Sequence, residues 1–199
     1  SLKVRVGALH RVTLTALNQL AEEVPVDQII SHPKYQQLRY NVALLHLAKS
    51  VNLGGLSHIG PVCLPGQGQT FTGQRCWVTG WWREATLTSA DDRSVLQKES
   101  LSIWNPNVCE VQLRKISNTP QNFVLDKSSS LCAGGEGRNV CLGGSAPLVC
   151  EGSNGHYVLV GLSSWYVGTA EDTCVRGNNP HIYSNIPNMV DFIKRNTGI

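Results

Sequence analysis

Long apolar runs are missing from this sequence. The longest, such as Val42-Ala43-Leu44-Leu45, fall far short of the ~20 residues that a membrane-crossing helix needs, so insertion through such a helix is excluded. A large excess of either charge is missing too: 17 Lys and Arg face 14 Asp and Glu, and no basic cluster is denser than a pair such as Arg114-Lys115. With no polybasic segment, neither a nucleic-acid partner nor an anionic membrane surface is expected. No CxxC or HxxxH spacing occurs among the seven Cys and six His, so neither a metal site nor a cofactor is expected. Internal repeats, low-complexity segments and Asn-x-Ser/Thr glycan acceptors are absent as well.

What remains describes a folded, cysteine-rich chain. A 41% hydrophobic and 16% charged composition over 199 residues fits one all-β domain or two small lobes able to bury a core, and excludes a disordered chain. Seven cysteines in this length point to an oxidising compartment, and the odd count means that six can pair internally while one pairs elsewhere or stays free. The opening Ser1-Leu2-Lys3-Val4 reads as mid-domain, so a processed chain or a fragment is expected.

Short strands separated by turns dominate the reading. Val4-Arg5-Val6 and Arg11 to Thr15 alternate, and Val24 to Ile30 is a strand stopped by His32-Pro33. Asn41 to Leu47 is an apolar run suited to a strand buried on both faces. Gln74 to Trp81 and His156 to Leu162 carry the β-branched and aromatic enrichment of core strands. Gly-rich clusters such as Pro65-Gly66-Gln67-Gly68 and Gly152-Ser153-Asn154-Gly155 punctuate them. Only the tail reads as helical, with Pro187 in the first turn and Met189, Val190, Phe192 and Ile193 as its apolar stripe.

Several stretches, in this order and at these separations, carry a specific signal. They are Ile29-Ile30-Ser31-His32-Pro33, Val42-Ala43-Leu44-Leu45-His46-Leu47, Pro61-Val62-Cys63-Leu64-Pro65, Cys76-Trp77-Val78-Thr79-Gly80-Trp81, Leu131-Cys132-Ala133-Gly134, Pro147-Leu148-Val149-Cys150, Ser163-Ser164-Trp165 and Ile182-Tyr183. Along nearly its whole length the chain resembles the chymotrypsin-like, trypsin-fold serine proteases. The resemblance implies an all-β double barrel with a C-terminal helix, the N-terminal part of the first barrel lying outside this chain. Residues 1–62 would be the remainder of the first barrel, 63–72 a connector, 73–186 the second barrel and 187–199 the helix. A half-barrel alone would expose strand edges, so a separate N-terminal piece is expected.

The resemblance also implies the cysteine pairing: Cys76 with Cys150, Cys109 with Cys132, and Cys141 with Cys174. Cys63 is left over. In two-chain family members the matching cysteine bonds an upstream segment, which implies a pro-segment, light chain or other protein partner; a free thiol is the competing reading.

Against the family's chemistry the sequence departs repeatedly. The catalytic His falls in a stretch preceding Ser1, and none of the six His sits in a matching motif. The catalytic Asp position holds Asn41, and in this family an Asp-to-Asn change lowers the rate by about 10⁴. The nucleophile loop, Cys141-Leu142-Gly143-Gly144-Ser145-Ala146-Pro147, is one residue short. Counting forward from Cys141 puts Ser145 at the nucleophile; counting backward from Pro147 puts Gly144 there. Either way the preceding Asp, which anchors the activated loop, is lost. The pocket walls carry Ser164-Trp165-Tyr166 and Pro180-His181-Ile182-Tyr183, with Asn139 at the base. Tyr166 and His181 stand where glycines leave room for substrate, so they are expected to fill the cavity unless they turn outward.

The function implied is a secreted, catalytically inactive serine-protease homologue that binds another protein as cofactor, decoy or scaffold, held to it through Cys63. Three alternatives stay open. One is a divergent endopeptidase using Ser145 and a His outside this chain. Another is a glycan or small-ligand binder with Trp81, Trp82 and Trp165 as stacking surfaces, and the last is a structural subunit of an extracellular assembly.

Overall fold

The computed structural model describes residues 1–11, 21–53, 58–81, 95–116, 119–134, 146–167 and 178–199. Among these residues, nine strands and two α-helices follow in the order β1 (Lys3–Val6), β2 (Glu22–Ser31), β3 (Ala43–Leu47), β4 (Arg75–Gly80), β5 (Gln97–Ser102), α1 (Pro106–Arg114), β6 (Ser130–Gly134), β7 (Pro147–Glu151), β8 (Tyr157–Tyr166), β9 (Pro180–Asn185) and α2 (Val190–Thr197). They form a three-stranded sheet, β1-β2-β3, and a six-stranded sheet ordered β5-β4-β7-β8-β9-β6. Every pairing is antiparallel. The architecture is the all-β one expected.

The larger sheet curls back on itself because alternate residues point inward from every strand. Cys76 and Val78 of β4, Leu101 of β5, Leu148 and Cys150 of β7 and Val160 of β8 fill one core with Phe71 and Tyr183. The bridge between Ile103 and Ala133 joins the β5 end of the sheet to β6, and the Trp104 amide donates to the Cys132 carbonyl at 2.9 Å. Cys76 and Cys150 face each other in the β4–β7 register and are joined by a disulfide. A second disulfide, Cys109–Cys132, ties α1 to β6. Bridges of this kind typically add about 2–4 kcal/mol. Two of the three expected pairings are thus present; Cys141 and Cys174 lie outside the described residues, as do residues 12–15 of the strand expected from Arg11.

Two expectations need correction. The run from Asn41 to Leu47 is not buried on both faces. β3 lies at one end of the three-stranded sheet, where Leu44 packs toward the molecule's seam while Leu45 pairs with Ile29 and both remain exposed. Nor is the tail the only helix. α1 begins where the Asn105 side chain accepts from the Asn107 and Val108 amides, and Pro106 takes the first turn. Its buried face is only Cys109 and Leu113, with Val108 and Val111 exposed, so its apolar period is weak.

The two sheets meet at a seam. Val42, with Ile30, Tyr40 and Leu44, packs against Ile186, Met189, Phe192 and Ile193 from the 3-10 turn Ile186–Met189 and α2. Residues 63–72 carry no strand beyond a Cys63–Val158 bridge. α2 ends at Gly198, whose left-handed backbone (φ 74°) lets its amide donate to the Lys194 carbonyl.

Glu110 organises the segment between α1 and β6. Its side chain is 13% exposed, takes Arg114 at 2.7 Å, and accepts from the buried Leu125 amide at 2.9 Å. Replacing Glu110 with Ala strands that amide and should lower unfolding stability by about 1–3 kcal/mol in a urea titration. Glu110→Gln retains an acceptor and should lose less; equal losses for the two variants would show that the Leu125 contact carries nothing.

Candidate functional site

Asn41 stands directly before Val42, and the burial of Val42 fixes where it sits. Its amide nitrogen donates to Ser164 Oγ at 3.0 Å, and its main-chain carbonyl accepts from Ser184 Oγ at 2.6 Å. A carboxylate at this position would accept from the Ser164 hydroxyl; the amide reverses the bond and makes the hydroxyl the acceptor. Among the described residues no imidazole hydrogen-bonds Asn41. The turn leading into it is unusual: Gln37, Leu38 and Tyr40 all have positive φ (40°, 73° and 47°), a region that disfavours side chains. The Gln36–Arg39 bridge closes that turn, and a 3.0 Å contact between Tyr40 Oη and Ser128 Oγ ties it to the segment before β6.

Ser164 reaches Asn41 because β8 bulges there. Ser163 pairs with Tyr183 and Trp165 with Ile182, which leaves Ser164 as the extra residue. The same shift sends Ser163 Oγ to His181 Nε2 at 2.7 Å. Tyr166 and His181 are then direct cross-strand partners, their rings stacked with centroids 5.7 Å apart. His181 is only 3% exposed, and its ring also lies 5.0 Å from that of Tyr183. Burial alone pushes the His181 imidazole down to about 4, so the ring is neutral at physiological pH. Burial likewise pushes the Tyr183 phenol above its usual range. His181 Nδ1 and Tyr183 Oη are both buried without a hydrogen-bond partner among the described residues.

Of the residues expected at the site, the structure brings Asn41 to Ser164, and Tyr166 to His181. Trp165 is half-buried, makes an edge contact with Phe123 at 6.2 Å, and lines a cavity of about 470 Å³ between residues 36–39 and 123–126. Trp81 is tied by its indole N–H to the Leu9 carbonyl at 3.0 Å. Asn139, Gly144, Ser145 and Trp82 lie outside the described residues. Sequence reasoning gave no site role to Ser163, Tyr183 or Ser184. Ser163 and Tyr183 lie inside matched motifs and could have been found; Ser184 lies just past one, and its contact depends on the fold.

A curled six-stranded antiparallel barrel, a partial second sheet, a C-terminal helix and a strand-end polar site between them define a trypsin-fold module. The family model described as Trypsin matches residues 1–193, and the chain belongs to that family. Inactive CLIP domain-containing serine protease A3 of Aedes aegypti is 35% identical over 176 residues, which cover 87% of this chain and 35% of the relative. Tryptase of Mus musculus is 33% identical over 171 residues, covering 84% of this chain and 60% of the relative. Inactive CLIP domain-containing serine protease A28 of Anopheles gambiae is 33% identical over 117 residues, covering 58% and 29%. The chain therefore matches between roughly a third and three-fifths of the length of these relatives.

The buried imidazole has a pH signature. The folded value of about 4 lies below the ordinary 6.5, so the stability carried by the neutral ring is complete above pH 6.5 and is lost as pH falls toward 4. Between pH 7 and pH 4, wild type should lose about 3 kcal/mol relative to His181→Gln, which keeps a polar partner for Ser163 but does not titrate. Parallel stability–pH curves for the two proteins would refute a buried neutral His181.

Proposed function

We propose that this chain is the protease-like module of a secreted, non-catalytic serine-protease homologue that acts by binding another protein. The observation that carries the reading is Asn41. Its amide donates to Ser164 at 3.0 Å, at the position where the family places the carboxylate that stabilises an imidazolium. Two of the relatives named above are called inactive, which supports the same reading. In this proposal Tyr166 and His181 occupy the specificity pocket, with Asn139, Ser164 and Trp165 as its remaining lining. Neither Gly144 nor Ser145 serves as a nucleophile. The two disulfides fit an oxidising compartment, and among the described residues no helix is long and apolar enough to cross a membrane.

A divergent active endopeptidase is the second reading, favoured by the 33% identity to Tryptase. Fluorophosphonate labelling of the full-length protein separates the two. No labelling and no hydrolysis of Arg, Lys or Phe esters are expected, and Asn41→Asp alone should restore neither. Stoichiometric labelling abolished by Ser145→Ala would establish the enzyme instead.

Cys63 is proposed as the covalent link to the partner. Among the described residues it is exposed and unpaired, and its main chain is clamped to β8 by bonds with Tyr157 (3.1 Å) and Leu159 (2.9 Å). Non-reducing peptide mapping of the natural protein should find Cys63 bridged to a cysteine outside this chain and Cys141 bridged to Cys174. An internal bridge that uses Cys63 would sink both assignments.

A further inference from the structure

The hairpin between β7 and β8 carries a reactive pair that the cleft does not use. Residues 152–156 connect the two strands, with Glu151 and Tyr157 as the last cross-strand partners. The connection closes in two steps. The Gly152 amide donates to the His156 carbonyl at 2.8 Å, and the Gly155 amide donates to the Gly152 carbonyl at 3.1 Å, closing a four-residue turn. Ser153, Asn154, Gly155 and His156 are all exposed. Asn154 is the one asparagine in the sequence that glycine follows. Its Cγ can close a five-membered ring with the main-chain nitrogen of the next residue. A side chain on that next residue, or a main chain held in regular structure, ordinarily hinders such closure. Both hindrances are missing here. Gly155 has a φ of 72°, and a Cβ built on it would meet no atom within 4 Å. Freeing its nitrogen takes the opening of a single exposed hydrogen bond at the hairpin tip, where local opening is cheap.

We propose that Asn154 is a site of spontaneous covalent modification, in which the Gly155 main-chain nitrogen displaces the Asn154 side-chain nitrogen. The Gly155 nitrogen gives its proton to a base in solvent and attacks Cγ. The new N–Cγ bond forms, the Cγ–Nδ2 bond breaks, and the side-chain nitrogen takes up a proton and leaves as ammonia. The Ser153 hydroxyl, 3.4 Å from Asn154 Oδ1, is placed to donate to the oxygen that gathers charge as the ring closes. Water then adds to either carbonyl of the succinimide and reopens it as an aspartyl or an isoaspartyl residue. The net exchange is one water in and one ammonia out, with no oxidant or reductant.

Either product places a carboxylate, ionised at neutral pH, on the hairpin tip. The isoaspartyl product also lengthens the main chain by one carbon between Asn154 and Gly155, so the two bonds that close the connection no longer fit together. Tyr157 begins β8 just beyond, and its carbonyl accepts the Cys63 amide at 3.1 Å. Opening the hairpin end therefore loosens the Cys63 segment as well. None of this depends on whether Cys63 carries a partner.

Incubating the full-length protein for days in mildly alkaline water enriched in heavy oxygen, followed by peptide mass mapping, tests this. The peptide containing Asn154 should exchange its amide for an acid carrying one heavy oxygen, at least about tenfold faster than any other asparagine of this chain. The same peptide should become a substrate for isoaspartyl methyltransferase. Asn154→Gln has a longer side chain that cannot form the five-membered ring, and should lose both signals without changing the melting temperature. In aged wild type the Cys63 amide should exchange its hydrogen several-fold faster than in fresh protein. Freshly made Asn154→Asp, which gains the charge without the extra carbon, should show no such increase. Conversion of Asn154 no faster than that of the other asparagines, or methyl transfer to this peptide that survives Asn154→Gln, would overturn the site. Unchanged Cys63 exchange in converted protein would overturn the coupling to the Cys63 segment.

Discussion

The packing of Val42 and its neighbours against the last helix is the constraint on which the rest depends. Val42 is 8% exposed and shares its cluster with Ile186, Met189, Phe192 and Ile193. Burying side chains of this kind is worth about 1.5–3 kcal/mol each, so the seam alone can hold the strand end leading into β3 in place. Asn41 lies one residue earlier and inherits that position whatever its side chain. The Ser184 hydroxyl then pins its carbonyl from a strand of the other sheet. The geometry of a protease cleft therefore rests on hydrophobic burial and main-chain contacts, not on the charge that catalysis requires.

The second barrel accommodates a polar ring in its interior at some cost. His181 Nδ1 and Tyr183 Oη are buried with no hydrogen-bond partner among the described residues, and an unsatisfied buried atom typically costs about 1–3 kcal/mol. The surrounding barrel offsets this. Its core cluster includes Val78, Leu148, Val160 and the Cys76–Cys150 bridge, all fully buried. Close packing sets a further limit: a Cβ added at Gly161 would stand 2.9 Å from Tyr183 Cβ. Tyr183 is fully buried, so only glycine fits at position 161 beside it. The Ser163 hydroxyl gives the His181 ring one hydrogen bond where it stands, and Tyr166 covers it from the next strand.

Much of this was legible in the chain because it obeys simple periods. β4 was legible from its β-branched and aromatic enrichment, and in the structure Cys76 and Val78 point inward against Trp77 and Thr79; Leu148 and Cys150 of β7 alternate in the same way but stood out in the sequence only as part of a matched motif. β3 misled because an apolar run does not say whether its sheet has covers on both sides. α1 was hidden by Val108 and Val111, apolar residues that point to solvent, although Asn105-Pro106 marked its start. The site divided similarly. Motif order placed Tyr166 opposite His181, but the Ser164 bulge, and with it both serine contacts, comes from a one-residue register shift that leaves no trace in composition. The Asn41–Ser184 contact spans 143 positions and has no local signal.

Asn41 also makes physical sense as the residue that suits this environment without catalysis. A half-buried carboxylate is tolerable when a cation faces it, and in an active protease the imidazolium fills that role during turnover. Among the described residues Asn41 has two hydrogen-bond partners, the hydroxyls of Ser164 and Ser184, and both are neutral. Facing only the described residues, an Asp there would lose solvation, meet no opposing charge, and be pushed toward its protonated form. The amide fills the same volume, bonds to the same serine and carries no charge to be desolvated. In the non-catalytic reading proposed above, stability alone would favour Asn at this position. The remaining architecture, from the seam to the Ser164 bulge, can persist because none of it depends on that charge.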